Sequence, residues 1–128
     1  MYKTFLILGT LLAGLAVALG AFGAHGLKKI VGPESVATYQ TGVQYQMYHA
    51  LALLVVGILS ERYIGSLLNY SGIFFIAGTI LFSGSLYLIV SLQAMNKAVP
   101  TPLGILTPIG GVLFILGWIF FFIALIRR

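Results

Sequence analysis

The stretch TFLILGTLLAGLAVALGAFGAHGLKK, residues 4–29, decides the fold of this chain. Residues 4–24 contain no charged residue and no histidine, and about 20 mostly apolar residues are enough to cross the hydrocarbon core of a bilayer as a helix. His25, Lys28 and Lys29 follow at once. The stretch therefore predicts a membrane-spanning helix over about residues 3–25 that meets water at His25.

The same stretch also resembles a secretory signal peptide, because Lys3 precedes an apolar run that ends in small residues. The apolar core of a signal peptide usually has about 7–15 residues, and this run is longer. Three further apolar runs follow it in the chain. We therefore expect the stretch to remain as the first helix of a larger membrane domain.

The composition of the whole chain also indicates a membrane protein. Of its 128 residues, 60% are hydrophobic and only 7% are charged, whereas soluble domains carry about 25% charged residues. The net charge of +5 comes from seven Lys and Arg residues that are scattered between the apolar runs. Scattered cations suit anionic lipid headgroups better than nucleic acid, so we expect membrane lipids as partners and no nucleic acid.

The remaining apolar runs predict three more spanning helices, near residues 34–60, 65–93 and 102–126. Residues 1–128 then form a single transmembrane domain. The predicted fold class is an all-α integral membrane protein, a four-transmembrane-helix bundle of the bacterial cell (inner) membrane.

The cations also bear on orientation, because loops on the cytoplasmic side carry the excess of Lys and Arg. Four cations fall on the side of both termini and three on the other, which favours cytoplasmic termini. The first set is Lys3, Arg62, Arg127 and Arg128, and the second is Lys28, Lys29 and Lys97.

Small residues recur at four-residue spacing in the first predicted helix, and helices three and four are rich in glycine. Such residues let helix backbones approach closely in lipid. We therefore expect helix one to lie at the centre of the bundle. The candidate packing residues are Gly9, Ala13, Ala16, Gly20, Ala24, Gly78, Gly84, Gly110 and Gly111, and Gly14 with Ala18 form a further pair.

The stretch TYQTGVQYQMYHALALL, residues 38–54, carries several amides and aromatic rings. An interfacial belt at the headgroup level accounts for them, and a shared polar site is the alternative. Since an unsatisfied polar group in hydrocarbon costs several kcal/mol, we expect His25 and His49 to lie on the same side of the membrane and to gather their polar neighbours. The candidate cluster is His25, Glu34, Gln44, Tyr45, Tyr48 and His49.

The stretch LFSGSLY, residues 81–87, places two hydroxyls around a glycine in the middle of the third helix. Hydrogen bonds to backbone carbonyls account for such hydroxyls, and the lining of a polar cavity is the alternative. The candidate cavity-lining residues are Ser83, Ser85 and Thr107.

The chain carries no pattern of an enzyme. It has no cysteine and no aspartate, and it lacks a phosphate-binding loop of the G-x-x-x-x-G-K type. The two histidines and Glu34 fit no zinc motif, so we predict no catalytic residue, metal or cofactor, although a proton-sensitive role for the histidines stays open.

The preferred function is a non-enzymatic interaction or assembly element, either as a homo-oligomer or with another membrane protein. The alternative is a transporter or channel component that moves a small solute or proton past His25, His49 and the helix-three serines. An enzyme acting on a lipid or quinone is the third reading.

Four stretches of the chain together resemble one family of small bacterial membrane proteins. ALGAFGAHGLKK, YQTGVQYQMYHALALL, LFSGSLYLI and LTPIGGVLFILGW occur in this order. They are similar to the domain of unknown function number 423, a group that includes transmembrane protein 256, and the resemblance covers essentially the whole chain. It implies a four-helix inner-membrane protein and supplies no activity and no catalytic residue.

Overall fold

A computed structural model describes residues 2–63 and 65–127 of the chain. Four helices in this part are long and apolar enough to cross a membrane, so the predicted all-α fold class is confirmed. Their ends differ from the predicted ends by at most two residues. The helices are α1 (Tyr2–Ala24), α2 (Pro33–Leu59), α3 (Leu67–Ala94) and α4 (Thr101–Ile126).

Local chemistry explains where α2 and α4 begin. Pro33 lies in the first turn of α2, where its missing N–H costs nothing, and Glu34 follows in the same turn, where the helix dipole favours a carboxylate. α4 likewise begins with Thr101 and a proline in its first turn. A 3₁₀ turn at Leu27–Lys29 connects α1 to α2.

The four helices pack mainly in chain order, α1 on α2, α2 on α3 and α3 on α4. One apolar core draws on all of them, with Phe5 from α1, Leu53 from α2, Phe75 from α3 and Phe114 from α4. α2 is the most buried helix and α1 the least. The predicted central position of helix one is therefore wrong, because α2 occupies the inner position.

Glycines set the closest helix contacts, above all between α3 and α4. A Cβ atom added to Gly110 would collide with the backbone of Phe82, and one added to Gly78 would lie 2.5 Å from the ring of Phe114. On α1, an added Cβ at Gly9 would lie 2.8 Å from Leu54. These helices approach closely because no side chain stands between them.

Other predicted packing residues contribute less. Ala16 is buried and an added Cβ at Gly20 would meet Val43 at 3.3 Å, so both lie in the α1–α2 contact. Ala13 is half-buried, and Ala24 is exposed at the end of α1. Gly111 would make only an ordinary contact with a ring at 3.9 Å.

Gly84 is a correction to the predicted packing set. A Cβ atom added there would meet nothing within 4 Å, so this glycine holds no neighbouring helix. The physical reason is its face: Ser83 and Ser85, one position to either side, turn into the bundle and are buried.

Candidate functional site

The buried polar side chains of α2 lie on one helix face. The buried residues of this face follow a spacing of alternately three and four, which keeps them on one side of an α-helix. They are Tyr39, Gly42, Gln46, His49, Leu53 and Val56. Gln46 and His49 therefore sit inside the bundle, in line with apolar residues that point the same way.

His49 has both ring nitrogens hydrogen-bonded. The Trp118 indole N–H donates to His49 Nε2 at 3.0 Å, and His49 Nδ1 lies 2.8 Å from the carbonyl oxygen of Tyr45. An indole N–H can only donate and a carbonyl can only accept. The partners therefore require a neutral imidazole with its proton on Nδ1.

Aromatic rings enclose this imidazole. Its ring stacks on Phe114 with the centroids 3.6 Å apart and the planes 6° from parallel, and Phe75 lies 5.3 Å away. The side chain of His49 is only 5% exposed. Since Phe114 and Trp118 belong to α4 and Phe75 to α3, His49 joins three helices at one point.

Gln46, on the same face one turn before His49, joins α2 to two further helices. Its amide nitrogen donates to the carbonyl oxygen of Leu12 in α1 at 2.8 Å. Its amide oxygen accepts from the hydroxyl of Tyr87 in α3 at 2.7 Å. The same buried amide thus satisfies its own hydrogen-bonding groups and links α1, α2 and α3.

The helix-three hydroxyls also bond between helices. Ser83 donates to the carbonyl oxygen of Gly42 in α2 at 2.7 Å, and the hydroxyls of Ser85 and Thr107 lie 2.6 Å apart across α3 and α4. Ser71, which the sequence did not single out, donates to the carbonyl oxygen of Gly117. The predicted cavity-lining residues Ser83, Ser85 and Thr107 therefore use their hydroxyls to hold helices together.

The two histidines lie far apart, contrary to the predicted shared site. His25 is exposed beyond the end of α1, with Nδ1 3.0 Å from the carbonyl oxygen of Ala21. The bond from Gln46 to Leu12 fixes α2 against the middle of α1. From Leu12 to His25 the chain rises about 20 Å along the axis of α1. His49 therefore lies deep in the bundle, whereas His25 lies at its end.

The other members of the predicted cluster do not close over helix one either. Glu34 lies in the first turn of α2, at the end of the bundle. Gln44 and Tyr48 are exposed on the outer side of α2. Tyr45 is partly exposed, and its ring lies 4.8 Å from Phe82 while its carbonyl holds His49. The six residues are thus divided between the bundle end, the outer face and the interior.

The predicted site lacked three residues that make the hydrogen bonds between helices. They are Gln46, Tyr87 and Trp118. A signal for Gln46 was present, because it shares a three-and-four spacing with Leu53 and Val56. The predicted cluster took Gln44 and Tyr48 from this stretch instead, and both are exposed. Nothing in the sequence marks Trp118 as a partner of His49, because residues 112–126 of α4 are apolar on every face.

The described residues contain no group of three His, Asp or Glu side chains that could hold a metal ion. What the interior offers is a set of hydrogen bonds and aromatic contacts. Each of its hydrogen-bonding groups named above already has a partner inside the protein.

Comparison with known proteins identifies relatives along most of the chain. The family model described as "Protein of unknown function (DUF423)" matches residues 19–111. A UPF0382 membrane protein of Staphylococcus aureus is 47% identical over 122 residues, which cover 95% of this chain and 94% of that relative. The UPF0382 membrane protein YwdK of Bacillus subtilis is 46% identical over 127 residues, 98% of each chain. No solved structure matches the chain significantly.

Proposed function

The chain belongs to this DUF423 family of membrane proteins, and we propose that it acts as a non-enzymatic interaction or assembly element in the bacterial cell membrane. One observation carries the proposal: within the described residues, six buried polar side chains are all hydrogen-bonded inside the protein, and the buried polar atom left without a partner is Oδ1 of half-buried Asn69 near the start of α3. The six side chains are Gln46, His49, Ser71, Thr79, Ser83 and Ser85. They stabilise the bundle, so the function belongs to its outer surface.

The same contacts give the transporter alternative less support. A route for a proton or small solute needs polar groups that water can reach. Ser83 and Ser85 are 1% and 2% exposed, and their hydroxyls face other helices. His49 lies against Phe75 and Phe114, which are apolar walls.

The outer face of α2 supports the interaction function. Gln44 is exposed there and has no hydrogen-bond partner within the described residues. It lies near the middle of the bundle, because Gln46 two residues on reaches the middle of α1. Glutamine amides in lipid hydrogen-bond across helices, so a second helix bonded to Gln44 would satisfy the amide.

We therefore propose that the face of α2 carrying Gln44 and Tyr48 receives a helix from a second copy of the chain or from another membrane protein. The charge balance of the loops, four cations against three, supports an orientation of this assembly with both termini in the cytoplasm. Leu51, two turns after Gln44, is exposed on the same face and gives a reporter position.

A photo-crosslinking amino acid at Leu51 tests the proposal in native membranes. We expect a protein adduct of defined mass, and we expect Gln44→Leu to reduce its yield. The matched control places the same group at Ile115 of α4, which is 60% exposed and should capture lipid alone. If Leu51 also captures lipid alone, the assembly proposal fails.

Reconstituted liposomes test the alternative. Protein-loaded vesicles should release a proton gradient no faster than empty vesicles. Faster release that His49→Leu abolishes would replace the assembly function with transport.

A further inference from the structure

A basic cavity opens at the end of the bundle where α2 ends, α3 begins and α4 ends. Its volume is about 550 Å³, and Arg62, Ser66 and Arg127 lie on its wall. Arg62 follows the end of α2 and Arg127 follows the end of α4. The cavity therefore lies where spanning helices leave the membrane, at the depth of lipid headgroups.

The two guanidinium groups are available to an anion. Arg62 and Arg127 are exposed, and neither has an ion-pair partner within residues 2–63 and 65–127. The whole chain has two acidic residues: Glu34 lies at the opposite end of the bundle, and Glu61, next to Arg62 in the chain, is exposed and forms no ion pair with the described residues. Arg62 and Arg127 therefore outnumber the one carboxylate side chain at this end.

Backbone geometry adds to this charge. Ser66 occupies the N-cap position of α3, and its side chain makes no capping hydrogen bond to the N–H groups of the first turn. The positive end of the helix dipole points the same way. The cavity thus combines two arginines from separate elements with a helix start.

Besides Tyr63 and Gly65, the rest of the wall is apolar. Leu67 and Leu68 of α3 and Ala124 of α4 line the cavity beside the arginines. Leu68 and Ala124 also belong to the apolar core of the bundle. A small inorganic anion needs no such surface, whereas an amphiphile with a charged head and a hydrocarbon body fits both parts.

We propose that this cavity binds the phosphodiester of an anionic phospholipid, with Arg62 and Arg127 bonding the phosphate oxygens and the apolar wall contacting the start of the acyl chains. Guanidinium groups bind phosphate with paired N–H donors. Basic recesses between membrane helices recognise anionic lipids by the same chemistry. This inference is independent of the assembly function, because it concerns one end of the bundle and not the outer face of α2 around Gln44.

Short-chain phosphatidylglycerol added to the full chain in neutral detergent tests the site. We expect saturable binding by calorimetry, weakened about tenfold or more in the double variant Arg62→Gln/Arg127→Gln. The matched control Lys28→Gln/Lys97→Gln removes the same charge at the opposite end and should bind as the wild type does. Equal loss in both variants would assign the binding to net charge and overturn the site.

Two further measurements distinguish a lipid ligand from free phosphate and paired guanidinium donors from positive charge alone. Inorganic phosphate at equal concentration should compete weakly, and equal competition would make free phosphate the ligand and overturn the lipid assignment. Arg62→Lys/Arg127→Lys keeps the charge and tests the site even if the glutamine variant fails to fold. We expect an affinity between those of the wild type and the glutamine variant, and an unchanged affinity in this lysine variant would refute recognition by paired guanidinium donors.

Discussion

α1 and α2 are neighbouring helices of similar length that meet the membrane in opposite ways. The most apolar window of α1 has a mean hydropathy of 2.4 and is 17% buried, whereas that of α2 has a mean hydropathy of 1.3 and is 50% buried. In a soluble protein the more apolar helix would lie inside. Here the less apolar helix lies inside, so the polar residues of α2 indicate that it is the interior helix.

The reversal follows from the solvent. Lipid tails are as apolar as leucine, so burying an apolar face gains little. An unpaired amide or imidazole in hydrocarbon costs several kcal/mol, and Gln46 and His49 avoid that cost only between other helices. α1 has no comparable group on its apolar faces and can remain at the edge.

The test of this comparison with the largest expected effect on stability replaces one glycine in each helix by leucine. On α2, a Cβ atom at Gly42 would already lie 3.0 Å from the Tyr87 ring, so Gly42→Leu should lower the free energy of unfolding by about 3 kcal/mol. On α1, Gly14 has nothing within 4 Å of an added Cβ, and Gly14→Leu should change little.

Unfolding in mixed detergent and dodecyl sulfate micelles measures both variants. The helical circular dichroism of each folded variant is the control for insertion. Equal losses for Gly14→Leu and Gly42→Leu would mean that α1 is packed on both sides, and the contrast between the two helices would be lost.

The next test removes the imidazole at the centre of the bundle. His49→Leu leaves the Trp118 indole N–H without its acceptor and removes the stacking on Phe114. We expect a loss of about 2 kcal/mol in the free energy of unfolding, with helical circular dichroism in mixed micelles as the readout, because the control below removes the only tryptophan of the chain.

Trp118→Phe supplies the control, because it removes the donor and keeps an aromatic ring. The double variant should lose less than the sum of the two single losses, by about 1 kcal/mol. Strict additivity would show that the hydrogen bond between these two side chains contributes nothing.

The sequence predicted the ends of the helices closely because the signals for them lie along the chain itself. Uncharged runs of spanning length, bounded by cations and by Pro33 and Pro102, locate all four helices. The arrangement of the helices is a different kind of information. Small residues on α1 predicted a central helix, yet Gly14 and Ala18 lie on an exposed side, since small residues permit close contact without requiring it.

The candidate site could be predicted only in part. The serines of α3 were expected to bond to carbonyls, and Ser83 does so, but to a different helix. His49 was expected to gather polar neighbours together with His25, and it instead bonds the carbonyl of Tyr45 and the indole of Trp118. Which helix supplies a partner depends on helix order, which residue types alone do not specify.

The smallest and sharpest test compares two glutamines of α2 that are two positions apart. Gln46→Leu removes the bonds to Leu12 and Tyr87, and it should lower the free energy of unfolding of the monomer by about 1 kcal/mol, since interhelical hydrogen bonds in lipid average about 0.6 kcal/mol each. Gln44→Leu exchanges an exposed amide for an apolar side chain and should leave that free energy unchanged or slightly higher. Crosslinking from Leu51 should show the opposite order, with adduct yield falling for Gln44→Leu and holding for Gln46→Leu. Because the two substitutions are chemically identical, a shared effect on both measurements would show that the inner and outer faces of α2 do not have separate roles.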